Sequence, residues 1–333
     1  MGKKRKYLSE FGVNIVSSGW MMMTSDQLRA EGEMLEEQEA LSKECHIYLI
    51  CKRPASYFIK DTFSYCDERI SVEVGYKVDG VQSVFSYEGK FPLLDDAVDV
   101  RVSDYPHREI ITYSSDGKVV RKLPANIISS GQGHELILKN LEVLYVGQSF
   151  GNGSRTAIDR LKSHSTLQKV LADSSYNYPD SEISVLMFKF EPYRLLMNFD
   201  GMSEGTISDE RDEKRFVSIK NNPLRKKQQI GLVEAALIRY FEPDYNDKFK
   251  IKFPSPKTKL LKKCYELDFS GLCVEINTEE LGFSLFSKRR AAAAHHIANI
   301  DIVDDQSRAS FFYVAGGGKG LVKVSDVIGV SKS

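Results

Sequence analysis

The chain offers little sulfur chemistry. Its five cysteines, Cys45, Cys51, Cys66, Cys264 and Cys273, are odd in number and include neither a CxxC pair nor a Cys/His zinc spacing. This excludes a simple disulfide framework or zinc ribbon and leaves reduced thiols as the simplest reading. Long apolar runs are also missing: none approaches the roughly 18 residues that span a bilayer. The start, Met1-Gly2-Lys3-Lys4-Arg5-Lys6, is charged with no apolar segment behind it. Neither membrane insertion nor secretion is expected, and a cytoplasmic location is. Net charge is absent too, with 46 Lys and Arg against 46 Asp and Glu.

What is there is a core-forming composition, 42% hydrophobic and 28% charged over 333 residues, sufficient for two or three domains. The neutral total hides an asymmetry. Thr24 to Glu44 holds seven acidic and two basic residues, whereas Glu213 to Lys263 holds fourteen basic and five acidic. A basic region suits a polyanion, because Lys and Arg contacts to phosphate supply most nonspecific nucleic-acid affinity. A solvated charged face is the alternative. The Lys3 to Lys6 run reads as a tail.

Patterning divides the chain into parts covering 1–130, 131–254 and 255–333. The first opens with a helical stretch, 24–44, signalled by the capping-box pattern Thr24-x-x-Gln27. Short β-rich runs follow at His46 to Arg53, Arg69 to Val78, Val81 to Tyr87 and Arg108 to Ser115, with Asp79-Gly80 and Asp116-Gly117 as hairpin turns. Ser129-Ser130-Gly131-Gln132-Gly133 reads as the boundary. The second part begins with a predicted hairpin, Leu136 to Leu138 against Glu142 to Gly147. A Gly151-Asn152-Gly153-Ser154 loop then leads into a helix from about Thr156 to Ala172, with Ser154 as candidate N-cap. A strand follows at Ile183 to Phe190, then a polar loop over 200–222 and a helix from about Lys227 to Phe241, ending before Pro243.

That last helix contains an anomaly. Ile230, Val233, Leu237, Tyr240 and Phe241 form one apolar stripe, and Glu234 lies inside it. A buried carboxylate without a partner protonates rather than remain charged, so Glu234 needs a cation, a metal or hydrogen-bond donors. An edge position paired with a lysine is the plainer reading. Arg160 and His164, four residues apart, project from one face of the earlier helix.

Tyr145-Val146-Gly147 on a strand, Arg160 and His164 on the next helix, Glu234 on a second helix and Asn246 after Pro243 together resemble the GIY-YIG nuclease superfamily, over about residues 131–250. The resemblance implies an α+β protein. Its central domain would be a small three-stranded antiparallel sheet flanked by helices, with a β-rich N-terminal and a small α+β C-terminal accessory domain on either side. It implies a DNA endonuclease that uses Mg²⁺ or Mn²⁺. Glu234 would be the metal ligand, Arg160 the contact to the scissile phosphate, and Tyr145 with His164 the groups that orient or deprotonate water. Asn246 would position the helix end or the substrate strand. DNA is the implied partner, with RNA and a homo-oligomer left open.

Each of these residues also has a structural explanation: a core tyrosine, a salt-bridged arginine, a surface histidine, a turn asparagine. The pattern also departs from the family. A first-strand tyrosine is expected about ten residues before Tyr145, where the chain reads Gly133-His134-Glu135-Leu136. Either His134 or Glu135 replaces it, or an upstream tyrosine such as Tyr113 enters, or the fold survives without cleavage as a nucleic-acid-binding or protein-interaction module. Gly316-Gly317-Gly318-Lys319-Gly320 has no Ser or Thr after the lysine and reads as a hairpin connection, not a phosphate loop. His295-His296 reads as a surface feature.

Overall fold

The computed structural model describes residues 3–29, 36–94, 96–131, 136–150, 157–162, 165–199, 201, 203–255, 257–303, 305, 307–315 and 320–323. The chain begins with strand β1 (Ser9–Thr24), short helices α1 (Ser25–Arg29) and α2 (Glu36–Glu44), and strand β2 (Ile47–Pro54). A strand-rich segment follows: β3 (Ser56–Phe58), β4 (Ser64–Cys66), β5 (Arg69–Val78), β6 (Val81–Lys90), β7 (Ala97–Val102), β8 (Glu109–Ser114) and β9 (Val119–Pro124). It closes with α3 (Ala125–Gly131) and α4 (Leu136–Lys139). Then come β10 (Asn140–Gln148), α5 (Ala157–Lys162), α6 (Ser165–Asn177), β11 (Ser181–Phe190), β12 (Arg194–Phe199), α7 (Glu210–Asn221) and α8 (Lys226–Phe241). The last stretch holds α9 (Lys262–Glu266), β13 (Phe269–Asn277), β14 (Ser284–Ser287), β15 (Arg290–Ala293), β16 (His295–Asp301), β17 (Tyr313–Ala315) and β18 (Leu321–Lys323). No helix among the described residues is long and apolar enough to cross a membrane.

The expected α+β class is observed, but one large sheet organises it. Its strand order is β15-β14-β10-β2-β11-β1-β13-β16, with β12 also paired to β1. At sixteen residues β1 serves two neighbourhoods. Ser9 to Asn14 pairs with β12, Phe11 to Val16 runs parallel to β13, and Ser17 to Thr24 pairs with β11. Strands from all three sequence-defined parts therefore share one sheet. The boundaries at 130 and 254 do not separate structural units, and residue 130 falls within α3.

At the sheet centre β2 runs antiparallel to β10 on one side and β11 on the other. Alternate residues of β2 face opposite ways. Ile47, Leu49 and Cys51 join the core under α8, while Tyr48 and Ile50 join a second core with Leu161, Leu167 and Val170 of α5 and α6. Covering both faces accounts for the nearly unbroken apolar run of β2.

The partner of β10 corrects the predicted hairpin. Leu136 to Leu138 belongs to helix α4, and β10 pairs instead with β2. The intervening segment forms its own small sheets, β3-β5-β4 with β6 beside β5, and β7-β8-β9. Its core contains Phe58, Ile70, Val72, Val74 and Phe91. The two hairpin turns stand as read. Asp79 and Gly80 both have positive φ, 50° and 80°, as a tight two-residue turn requires.

Other expectations changed with context. The Thr24/Gln27 capping box forms, at 2.9 and 3.3 Å, and within the expected stretch Ser25–Arg29 and Glu36–Glu44 are helical, with 30–35 outside the described residues. The polar stretch 200–222 contains α7, capped by Asp209 accepting from Arg211 N at 3.0 Å. The basic start is tied down: Arg5 is buried and donates to Tyr313 O at 2.9 Å. His296 is buried on β16, its ring nitrogens within hydrogen-bond distance of Tyr240 Oη, 3.1 Å, and Leu285 O, 2.8 Å. β17 and β18 pair as the hairpin expected around the glycine run, whose residues 316–319 lie outside the described residues.

Candidate active site

The β2–β10 pairing brings two tyrosines together. Tyr48 stands opposite Gly147, two residues beyond Tyr145. The rings of Tyr48 and Tyr145 lie 6.2 Å apart, tilted by 34°. A β-bulge in β10 aims Tyr145. The register shifts between Val143 and Tyr145, so both Leu144 and Tyr145 turn toward the α5/α6 core while Val143 and Val146 face α8. A bulge re-aims side chains in this way. Gly147 is the third part of the device. A Cβ there would stand 2.5 Å from Tyr48 Cζ and 2.7 Å from Tyr145 Cε1, so only glycine leaves room for both rings.

Asn246 locks the same strand. Its side chain accepts from Val146 N and donates to Val146 O, both at 2.9 Å. Tyr245 N donates to the bulged Leu144 carbonyl at 3.1 Å. Asn246 is buried, and its amide is consumed by backbone. It holds the strand that carries Tyr145, a positioning role directed at β10 and not at the helix end or the substrate strand.

Around the tyrosines lie the charged groups. Tyr48, Tyr145, Gln148, Arg160, Glu234 and Asn246 line one cleft of about 600 Å³. Arg160, exposed on α5, hydrogen-bonds Tyr48. Burial drives the Tyr48 phenol well above its ordinary range, and the Tyr145 charge adds to this against the opposing effect of Arg160. Tyr145 is raised as well, again chiefly by burial, with hydrogen bonds from Tyr48 and Thr166 opposing. Both phenols are neutral hydrogen-bonding groups at neutral pH.

Glu234 faces the cleft from the middle of α8. Its partner is a donor that the sequence did not single out: Gln148 Nε2 donates to Glu234 Oε2 at 2.8 Å. Burial pushes the Glu234 carboxyl up to about 7, opposed by Gln148, Lys248 and Arg160. Gln148 directly follows Tyr145-Val146-Gly147 on the same strand, but only the β10–α8 packing sets it against Glu234. Among the described residues no group of three or more His, Cys, Asp and Glu could cage a metal. One half-buried carboxylate beside an open cleft instead suits a hard cation such as Mg²⁺, which keeps several waters and shares its shell with phosphate oxygens.

Of the expected site residues, Tyr145, Arg160, Glu234 and Asn246 meet at one cleft, while His164 lies outside the described residues, as do Ser154, His134 and Glu135. Tyr113 belongs to β8, paired with β7 and β9, and does not line the cleft. The tyrosine beside Tyr145 is Tyr48. Tyr48 lies far upstream of Tyr145 in the chain because β2 and β10 are separated by the strand-rich segment from β3 to β9. No family model, no curated protein and no solved structure matches the chain.

Proposed function

We propose that the chain is a divalent-metal-dependent endonuclease of the GIY-YIG type that hydrolyses phosphodiester bonds in DNA. The observation that carries this reading is Tyr48 beside Tyr145 on adjacent strands, with Arg160 and Glu234 bordering the same cleft. The antiparallel triple β10–β2–β11, with α5, α6 and α8 packed on it, is consistent with the layout the family resemblance implies. In that correspondence Tyr48 is the first-strand tyrosine, Tyr145 the second-strand one, and the segment between β2 and β10 an insertion.

The chemistry follows from the side chains. Arg160 donates to the nonbridging oxygens of the scissile phosphate and offsets the charge that grows on them. Tyr48 and Tyr145 orient the attacking water in line with the departing oxygen. As the new P–O bond forms and the old one breaks, the water proton passes to Tyr48 Oη while the Tyr48 proton moves to Tyr145 Oη and the Tyr145 proton to solvent, so both phenols end neutral, and a solvent water protonates the departing oxygen. A divalent cation held by Glu234 would supply Lewis-acid stabilisation of the leaving oxygen. Gln148 fixes the orientation of the Glu234 carboxylate, so it acts through its neighbour.

The test is nicking of supercoiled plasmid with Mg²⁺, Mn²⁺ or EDTA. Wild type is expected to nick only with metal, Glu234→Ala not at all, and Tyr48→Phe roughly 10²- to 10⁴-fold more slowly, the usual worth of a proton-transfer group. Equal background nicking by wild type and Glu234→Ala removes the enzymatic reading. Salt-dependent DNA retention without cleavage would favour a silent DNA-binding module.

A further inference from the structure

The cleft has a cationic border that the proposed chemistry does not use. After Asn246 the chain leaves the cleft and returns to it: Lys248 and Phe249 line it on the way out, Leu260 on the way back. Two aromatic residues anchor this strap. Phe249 and Phe253 meet edge to face, ring centroids 5.8 Å apart, with Phe253 fully buried in the core that contains α8.

In an extended chain Phe249, Ile251 and Phe253 would share a face. Phe249 instead adopts a left-handed backbone, φ 65°, which is strained for a non-glycine residue. The chain turns over 250–252, both phenylalanines point inward, and Ile251 is left 81% exposed. No other isoleucine or leucine among the described residues is as exposed.

The lysines around it gather in one short stretch. On other surfaces Lys43, Lys118, Lys189, Lys214 and Lys288 each pair with a carboxylate. Lys252, Lys257 and Lys259 are exposed and have no acidic partner among the described residues, while Lys248, also exposed, lies within electrostatic reach of Glu234. Asp247 is the strap's lone acid from 247 to 263. Three unneutralised cations in a short stretch repel one another, and that repulsion is relieved by a polyanion.

We propose that the strap from Lys248 to Lys259 docks duplex DNA beside the cleft, its lysines on backbone phosphates and Ile251 as an apolar wedge against a base step. Phosphate contacts supply affinity without sequence preference. Exposed aliphatic side chains insert between stacked bases in proteins that kink the duplex. This assignment rests on reading the cleft as a phosphodiesterase site, but it makes a separate measurable claim.

The experiment is fluorescence anisotropy of a short labelled duplex with the full chain, in EDTA, across a salt series. Replacing Lys252, Lys257 and Lys259 together by Gln removes three phosphate contacts, so the slope of log affinity against log salt is expected to shrink by about 2.7, at about 0.9 per contact. Ile251→Ser is expected to leave the slope unchanged and to weaken binding to the duplex several-fold, with no loss on the single strand of the same sequence. An unchanged slope in the triple variant overturns the proposal. So do equal losses by Ile251→Ser on duplex and single strand, or equal binding to an RNA duplex. Glu234→Ala should keep the wild-type slope. Strap-dependent binding without Glu234-dependent nicking leaves the docking assignment standing and removes the nuclease; nicking with an unchanged slope does the reverse.

Discussion

Glu234 couples the proposed chemistry to stability. Its carboxyl is raised from 4.5 to about 7 in the folded chain, so between these values the folded state binds more protons than the unfolded one. Stability falls as pH rises through that window and is lowest above 7, where both states are ionised. Moving the carboxyl from 4.5 to about 7 corresponds to at most about 3.5 kcal/mol, less whatever the open cleft screens. Glu234→Gln, which keeps an acceptor for Gln148, is therefore expected to exceed wild type by about 1–3 kcal/mol in urea melts at pH 8 without metal and to match it near pH 4.5. A difference independent of pH would contradict this burial account. Gly147 makes a second residue-level case. Gly147→Ala forces a Cβ into both tyrosine rings, with an expected cost of about 1–3 kcal/mol. Plasmid nicking should fall by a larger factor than the folded fraction measured in the same buffer.

At the scale of elements, β10 and the segment after α8 form one unit. Asn246→Ala strips Val146 of a donor and an acceptor partner inside the core, and each buried group left unsatisfied costs about 1–3 kcal/mol. A lowered urea midpoint with an unchanged m-value is the expected outcome; wild-type stability would show that the strand does not need the clamp. Helices and strands were legible where one period dominates. The 3.6-residue stripe from Ile230 to Phe241 marked α8 to within a residue, and the strand runs behind β2, β5 and β11 were found. β1 was missed: its apolar and polar residues are interrupted by Gly12, Ser17, Ser18 and Gly19, and its sixteen residues serve two different sets of neighbours. Of the helix expected over 24–44, Thr24 instead ends β1, held extended by its pairing with β11, while 25–29 and 36–44 are helical.

For the whole molecule, the main determinant is which distant strands pair. The sheet draws on β1, β2 and β13, which lie outside 131–254, so a fragment spanning 131–254 leaves β10 and β11 without the strand between them and is expected to show no cooperative melt. The converse construction should succeed. β2 ends at Pro54 and β10 begins at Asn140, as antiparallel neighbours paired at Lys52 and Glu142. Replacing 56–135 by a short Gly-rich turn is expected to preserve a cooperative transition and Glu234-dependent nicking, since antiparallel strands need only a short connection. Loss of folding in that variant would make the inserted segment part of the core.

The sequence by itself determined the local elements with strong periodicity, the hairpin turns at Asp79-Gly80 and Asp116-Gly117, and a carboxylate lodged in an apolar helix face. Those features arise from neighbours within a few residues. Tertiary structure alone decided that Tyr48 stands beside Tyr145, that Gln148 restrains Glu234 and that Asn246 serves the backbone. Strand pairing is set by burial of whole faces across the fold, and it can bring together residues that no local spacing relates.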